Sequence, residues 1–164
     1  MPNRFIFIRS RAAWALTALV VALGVLGGSM LFTQSTHAQQ VEATLTVVVH
    51  GLRNDRGTIR GGLYREASRW THDDGQIASC VGRPIHGIAR CVFDAIAPGA
   101  YGLALFHDED DDGSFDRDSI GLPQEGYVFG RDARPGLGAP SFESALVRIG
   151  LPGTETRVQI RYGI

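Results

Sequence analysis

Residues 108 to 118 read Asp-Glu-Asp-Asp-Asp-Gly-Ser-Phe-Asp-Arg-Asp, a run that no apolar core can absorb. It holds seven of the chain's 17 acidic residues. Like charges this close repel strongly unless a cation or free solvent relieves them. The fold must therefore hang this run from its scaffold. Carboxylates at alternate positions followed by glycine at the sixth match the first half of a calcium-binding loop. With Asp108 as position one, Asp110 and Asp112 stand at three and five, Gly113 at six, the Ser114 carbonyl at seven and Asp116 at nine.

That set offers about five oxygens, whereas calcium takes roughly six to eight. Position twelve is Ser119, where a helix-loop-helix site carries a bidentate Glu. Water, Asp118 or Glu125 must make up the deficit. Glu125 is the preferred donor, because Pro123 and Gly126 can fold the chain back toward the acids. Leu103 to Phe106 reads as a strand and Gly121-Leu122-Pro123 cannot start a helix smoothly, which excludes an ordinary EF-hand. Hard oxygen donors without a thiolate or imidazole set select Ca²⁺ over zinc or copper. The expected metal ligands are thus Asp108, Asp110, Asp112, Ser114, Asp116 and Glu125. His107, ending an apolar strand, reads as structural. The competing reading is a solvated acidic turn that holds no ion.

The N-terminus carries Arg4, Arg9 and Arg11, then an uncharged apolar run from Ala12 to Phe32, then a polar stretch through Thr36-His37-Ala38. These are the parts of a secretory signal, with cleavage expected after Ala38. An uncleaved anchor is the alternative, since 21 residues can span a bilayer. Either way the rest is expected to be exported, to the periplasm or facing it from the inner membrane, as one domain of residues 39–164. That part holds 13 arginines, no lysine and 17 acids, a formal charge of −4, which disfavours nucleic acid. A membrane is expected to enter only through the N-terminal segment, if that segment stays uncleaved. Cys80 and Cys91 are the two cysteines, and an even pair in an oxidising compartment reads as a disulfide.

Past residue 42 the pattern has period two. Leu45, Val47 and Val49 share one strand face, and Ile59, Gly61 and Leu63 a second, with the glycines marking a bulge or close approach. Residues 65–87 read as irregular, with one helical turn near Glu66 to Trp70 and Arg83-Pro84 interrupting any strand. Ile88 to Phe93, Tyr101 to Phe106 and Ala145 to Ile149 resume strand character, and Val158, Ile160 and Tyr162 alternate with arginine and glutamine. Gly121 to Phe142 is a long glycine- and proline-rich crossing, of a kind that is functional or locally packed. The pattern predicts an all-β, antiparallel Greek-key-type sandwich of about seven strands with one long ordered loop, preceded by a signal-peptide helix.

Other chemistry is sparse. The chain has no G-x-S-x-G elbow, H-E-x-x-H, phosphate loop or cysteine nucleophile. His50, His72, His86 and His107 stand at no spacing that pairs them with a carboxylate. Tyr101, after Pro98-Gly99, reads as a core or corner tyrosine. Tyr127, Phe129 and Phe142 are candidates for a binding surface, or for pinning the long loop to the sheet.

The succession Phe106-His107-Asp108 into the acidic loop, Gly121-Leu122-Pro123-Gln124-Glu125-Gly126-Tyr127-Val128-Phe129, and Gly138-Ala139-Pro140-Ser141-Phe142-Glu143-Ser144-Ala145 resembles the domain-of-unknown-function 2141 family of exported bacterial proteins. The resemblance covers about residues 43–162. It implies an all-β domain similar to transthyretin-like or carboxypeptidase-regulatory-like sandwiches, which share a turn like Pro98 to Tyr101. The family usually has Asn within the acidic loop where Asp110 and Asp112 stand here, and tends to Ser-Asn-Asn where Gly130-Arg131-Asp132 follows Phe129. No activity comes with the resemblance.

Three functions remain open. One is a non-enzymatic module whose calcium loop orders a surface for an envelope protein or polysaccharide. The second is an envelope-polymer hydrolase or lyase working with loop carboxylates. The third is a purely structural or adhesive domain.

Overall fold

A computed structural model describes residues 41–136 and 138–163. The segment read as a signal or anchor, residues 1–38, lies outside the described residues. Period-two alternation becomes eight strands: β1 Ala43–His50, β2 Thr58–Tyr64, β3 Gln76–Gly82, β4 Ile88–Ile96, β5 Gly99–Asp108, β6 Gly126–Phe129, β7 Leu146–Ile149 and β8 Gly153–Gln159. They form a three-stranded sheet in the order β4-β1-β8 and a five-stranded sheet running β3-β2-β5, with β6 and β7 both on the far edge of β5. β6 pairs along Ala104 to His107 and β7 along Gly99 to Gly102. The protein is an all-β sandwich.

Leu45, Val47 and Val49 of β1, Ile59 and Leu63 of β2, and Leu103 of β5 are fully buried in one shared cluster. Sheet-on-sheet burial of alternate residues supplies the main drive to fold. β1 and β8 run parallel, from Thr44 opposite Gly153 to His50 opposite Gln159. Alternation reports which face is buried and is silent on strand direction. Gly61 makes the close approach its sequence context implied: a Cβ there would lie 2.9 Å from Cys80 Sγ and from a Leu105 methyl.

One expectation is corrected. Residues 65–87 are not irregular throughout, because β3 occupies Gln76–Gly82. As an edge strand it turns Ile77 and Val81 to solvent and buries Cys80, so its apolar signal is inverted. Arg83-Pro84 ends this strand without preventing it. A disulfide joins Cys80 of β3 to Cys91 of β4, with Cα atoms 5.5 Å apart, and ties the two sheets along one side. Tyr101 is a corner tyrosine: its hydroxyl donates to the Ala97 carbonyl at 2.7 Å and accepts from Arg65 at 2.8 Å.

The outer face of the five-stranded sheet is also covered in part. Tyr64, Trp70 and Ala145 form a second buried cluster, with Phe129 and Phe142 packed against it. The Trp70 ring sits 5.8 Å from Phe129 and 5.7 Å from Phe142, and its Nε1–H donates to the Pro140 carbonyl at 2.8 Å. Gly102 of β5 permits this packing, since a Cβ there would lie 2.7 Å from the Phe142 ring and 2.8 Å from Trp70.

Candidate functional site

The acidic run begins where β5 ends. Asp108, the last residue of β5, is fully buried. Its carboxylate accepts the backbone N–H of Asp112 at 3.1 Å and of Gly113 at 3.0 Å. Arg60 of β2 donates Nε to the same group. The loop reverses through two left-handed residues, Asp111 and Gly113, at φ 61° and 87°. Glycine adopts that conformation freely and aspartate tolerates it. The Thr58 hydroxyl holds Asp111 at 2.8 Å, and the Asp112 carboxylate accepts the Ser114 N–H at 2.7 Å.

A small hairpin then returns the chain. The Gln124 N–H donates to the Asp116 carbonyl at 3.0 Å and the Asp118 N–H to the Leu122 carbonyl at 2.8 Å. Asp118 caps the turn, its Oδ1 accepting from the N–H groups of Ile120 and Leu122. This leaves Glu125 at the root of the loop, almost fully buried. One of its oxygens accepts the Glu109 N–H at 2.9 Å and the other the Asp116 N–H at 3.2 Å. One oxygen each from Asp108, Asp110 and Glu125 lie within 4.8 Å of one another.

Of the six expected ligands, these three converge around one point. Asp116 is not one of the three; loss of solvent raises its carboxyl pKa, and repulsion from Asp112, Asp110 and Asp108 adds to it. Burial likewise pushes Glu125 up, against the two backbone bonds that favour its charge, with Asp108 and Asp116 adding repulsion. Asp112 and Ser114 lie on the exposed rim. A carboxylate oxygen has two lone pairs, so one backbone N–H leaves capacity for a cation. The oxygen-only donor set therefore fits a hard divalent ion and no soft one.

Glu109 belongs to a different network. It turns away to the β1–β2 loop, where Arg53 Nη2 lies 2.5 Å from one oxygen and Asn54 and Arg56 donate to the other at 2.7 and 3.2 Å. Burial works to raise its pKa, but the Asn54 bond and the Arg53 charge outweigh it, and the group titrates below its ordinary value. Arg53, Arg56 and Arg60 are the partners that sequence reasoning missed. Nothing local marks them, because they meet the loop only through strand pairing some fifty residues away.

His107 is fully buried and fully engaged. Its Nε2–H donates to the Arg56 carbonyl at 2.7 Å, since that oxygen can only accept, and the Tyr162 hydroxyl sits 2.8 Å from Nδ1. Neither nitrogen is offered to a metal.

Beside the loop lies a cleft of about 600 Å³ on the outer face of the five-stranded sheet. Arg60, Phe115, Arg117 and Pro123 line it from β2 and the acidic segment, and Pro135 and Ala139 line it from the later crossing. Tyr127 and Phe129 border it, while Phe142 lies in the Trp70 cluster.

Residues 47–158 match the model of a family described as an uncharacterized protein conserved in bacteria, DUF2141. The chain belongs to this family. The matched region runs from β1 into β8 and takes in the acidic loop, the hairpin and every residue of the DUF2141 cleft wall. No curated protein and no solved structure matches the chain.

Proposed function

We propose that this DUF2141 protein is an exported, non-enzymatic binding module in which a calcium ion, held by Asp108, Asp110 and Glu125 with Asp112, Ser114 and Asp116 as further donors, orders the hairpin that walls the cleft. The convergence of three carboxylates, two of them buried, within 4.8 Å carries this reading. Calcium would supply the positive charge that Arg60 alone does not, and the backbone N–H bonds to Asp108 and Glu125 would hold those oxygens toward it. Aspartate at both 110 and 112 adds charge and so affinity.

Export is supported by the basic-then-apolar N-terminus and by the disulfide, which persists in oxidising compartments. The periplasm is the expected address, and an envelope protein or polysaccharide the expected partner. A hydrolase would need a raised carboxyl beside a partner in the cleft. Glu125, whose pKa is raised, does not line the cleft, and both its oxygens hold backbone N–H groups.

Melting the purified protein in calcium and in chelator tests the metal. Calcium at a hundredfold excess over its dissociation constant stabilises by roughly 3 kcal/mol, a rise in Tm of several degrees. Identical midpoints, with no heat on titration, would remove the ion from the account.

A further inference from the structure

The cleft beside the acidic hairpin has a floor of small side chains. Gly62 of β2 lies in register between Ala104 of β5 and Ser79 of β3, all on the outer face, and the Gln76 side chain lies across Gly62, within 2.7 Å of where a Cβ would stand. Phe106 lines the cleft next along the floor, and Phe115 stands against it from the hairpin with ring centres 5.7 Å apart. Small floor residues between aromatic rings make a concave apolar slot, and its volume falls among those of small-molecule sites.

Two guanidinium groups belong to the same side of that slot. Arg60 commits its Nε to Asp108, while its Nη groups have no hydrogen-bond partner among the described residues and its side chain is 35% exposed. Its guanidinium carbon lies 3.9 Å from where a Cβ on Gly113 would stand, against the acidic loop. Arg117 lies over the Phe115 ring at 4.9 Å, gives Nη1 to the Gly121 carbonyl at 3.1 Å, and forms no ion pair among the described residues. Each keeps an unpaired edge of the planar fork that matches a carboxylate. A dianion such as phosphate would meet more repulsion from Asp110, Asp112 and Asp116 nearby, so a single negative charge fits best.

The geometry points to a binding site for a small molecule that joins an apolar-faced ring to one carboxylate. The ring lies on Ala104 and on the Gln76 side chain that covers Gly62, against Phe106 and Phe115, and the carboxylate meets Arg60 and Arg117. Two sources carry that chemistry: aromatic acids and uronic-acid sugars. The site rests on the proposed calcium reading only for its ion dependence, because a cation on Asp108 and Asp110 would offset the local negative charge and tighten an anion's hold.

The test titrates the purified protein with benzoate and with galacturonate, and with benzamide and galactose as uncharged counterparts, each in calcium and in chelator, read by calorimetry. Saturable binding of benzoate supports the aromatic source and of galacturonate the sugar source, with the uncharged counterpart weaker by at least about tenfold. Arg117→Gln should weaken the carboxylate about tenfold for the lost charged bonds, and Ala104→Phe should abolish binding by filling the floor. Should Ala104→Phe fail to fold, Ser79→Phe, at an exposed position of the neighbouring strand, takes its place. Equal binding of acid and counterpart, or unchanged binding by the floor variant, overturns the site. No binding in either buffer overturns it too, even where calcium still raises Tm. Binding that persists while calcium changes neither it nor Tm upholds the site and overturns the calcium reading alone.

Discussion

Arg60 places its Nε on the buried carboxylate of Asp108, so the first acid of the loop arrives with a protein cation already against it. Glu109 is answered in the same way by Arg53 and Arg56. Arginines and backbone N–H groups therefore meet part of the loop's charge from within the fold. Asp110, Asp112 and Asp116 have no ion pair among the described residues, and Glu125 has only backbone donors. The demand for an external cation is concentrated on these four.

Arg60→Gln separates the two kinds of neutralisation. Removing the guanidinium leaves a buried carboxylate with backbone donors alone and costs about 2 kcal/mol, the scale of a hydrogen bond to a charged group. The loss should appear in urea melts in chelator and shrink when calcium is added, because the ion takes over part of the compensation. An equal loss in both buffers would mean that Asp108 is not among the ion's ligands.

The pH dependence has a determined sign. Glu125 and Asp116 titrate above their ordinary values, chiefly through burial, so the stability they contribute is complete below the ordinary carboxylate range and is lost as pH rises through the raised values. Glu109 and Asp55 titrate below theirs. Asp55 does so because its carboxylate accepts the N–H groups of Gly87 and His86. Their contribution is present above the ordinary range and is lost as pH falls through the lowered values. Denaturation in chelator should therefore show greatest stability in mildly acidic buffer, with a decline toward neutrality. On the proposed reading calcium takes the deprotonated carboxylates and should move that maximum upward. Stability in chelator that rises steadily from about pH 4 to 7 would contradict this balance.

Much of this was legible in the sequence, and the misses share a cause. Leu45-Val47-Val49 and the run after Tyr101 announced strands because their apolar side chains face a core. β3 did not, because an edge strand wears Ile77 and Val81 outside. The loop spacing named Asp108, Asp110, Asp112, Ser114 and Asp116, and the turn residues Pro123 and Gly126 added Glu125; of these six, Asp108, Asp110 and Glu125 come together, because backbone turns are local chemistry. The arginine partners and the cleft depend on register across β2, β3 and β5. Alternation does not encode register when glycine and alanine occupy the outward positions, as Gly62 and Ala104 do.

The disulfide between β3 and β4 closes a loop with a sequence separation of 11. Loop-closure entropy puts its contribution at about 3 kcal/mol. Replacing Cys80 and Cys91 together by serine should lower the urea midpoint accordingly. Both positions are buried, so part of the measured loss will be packing. Reduction of the native protein isolates the bond itself. A reduced protein that melts where the oxidised one does would show that the strand pairs hold that side of the sandwich unaided.

Glu125→Gln is the sharpest single probe of the acidic hairpin. The amide keeps the shape of the side chain but turns one acceptor into a donor, which faces the N–H of Glu109 or Asp116 and leaves a near-buried clash of donors. The cost should be about 1–3 kcal/mol, with hydrogen exchange accelerated across Asp116 to Gln124 and unchanged in β1. The amide also removes the charge and one of the two oxygens of the proposed ligand that returns from beyond the hairpin, so on that reading the Tm gained from calcium should fall along with the basal stability. A variant that loses stability but keeps the full calcium response would show that Glu125 closes the hairpin by hydrogen bonding alone, with the ion held entirely by residues 108–116.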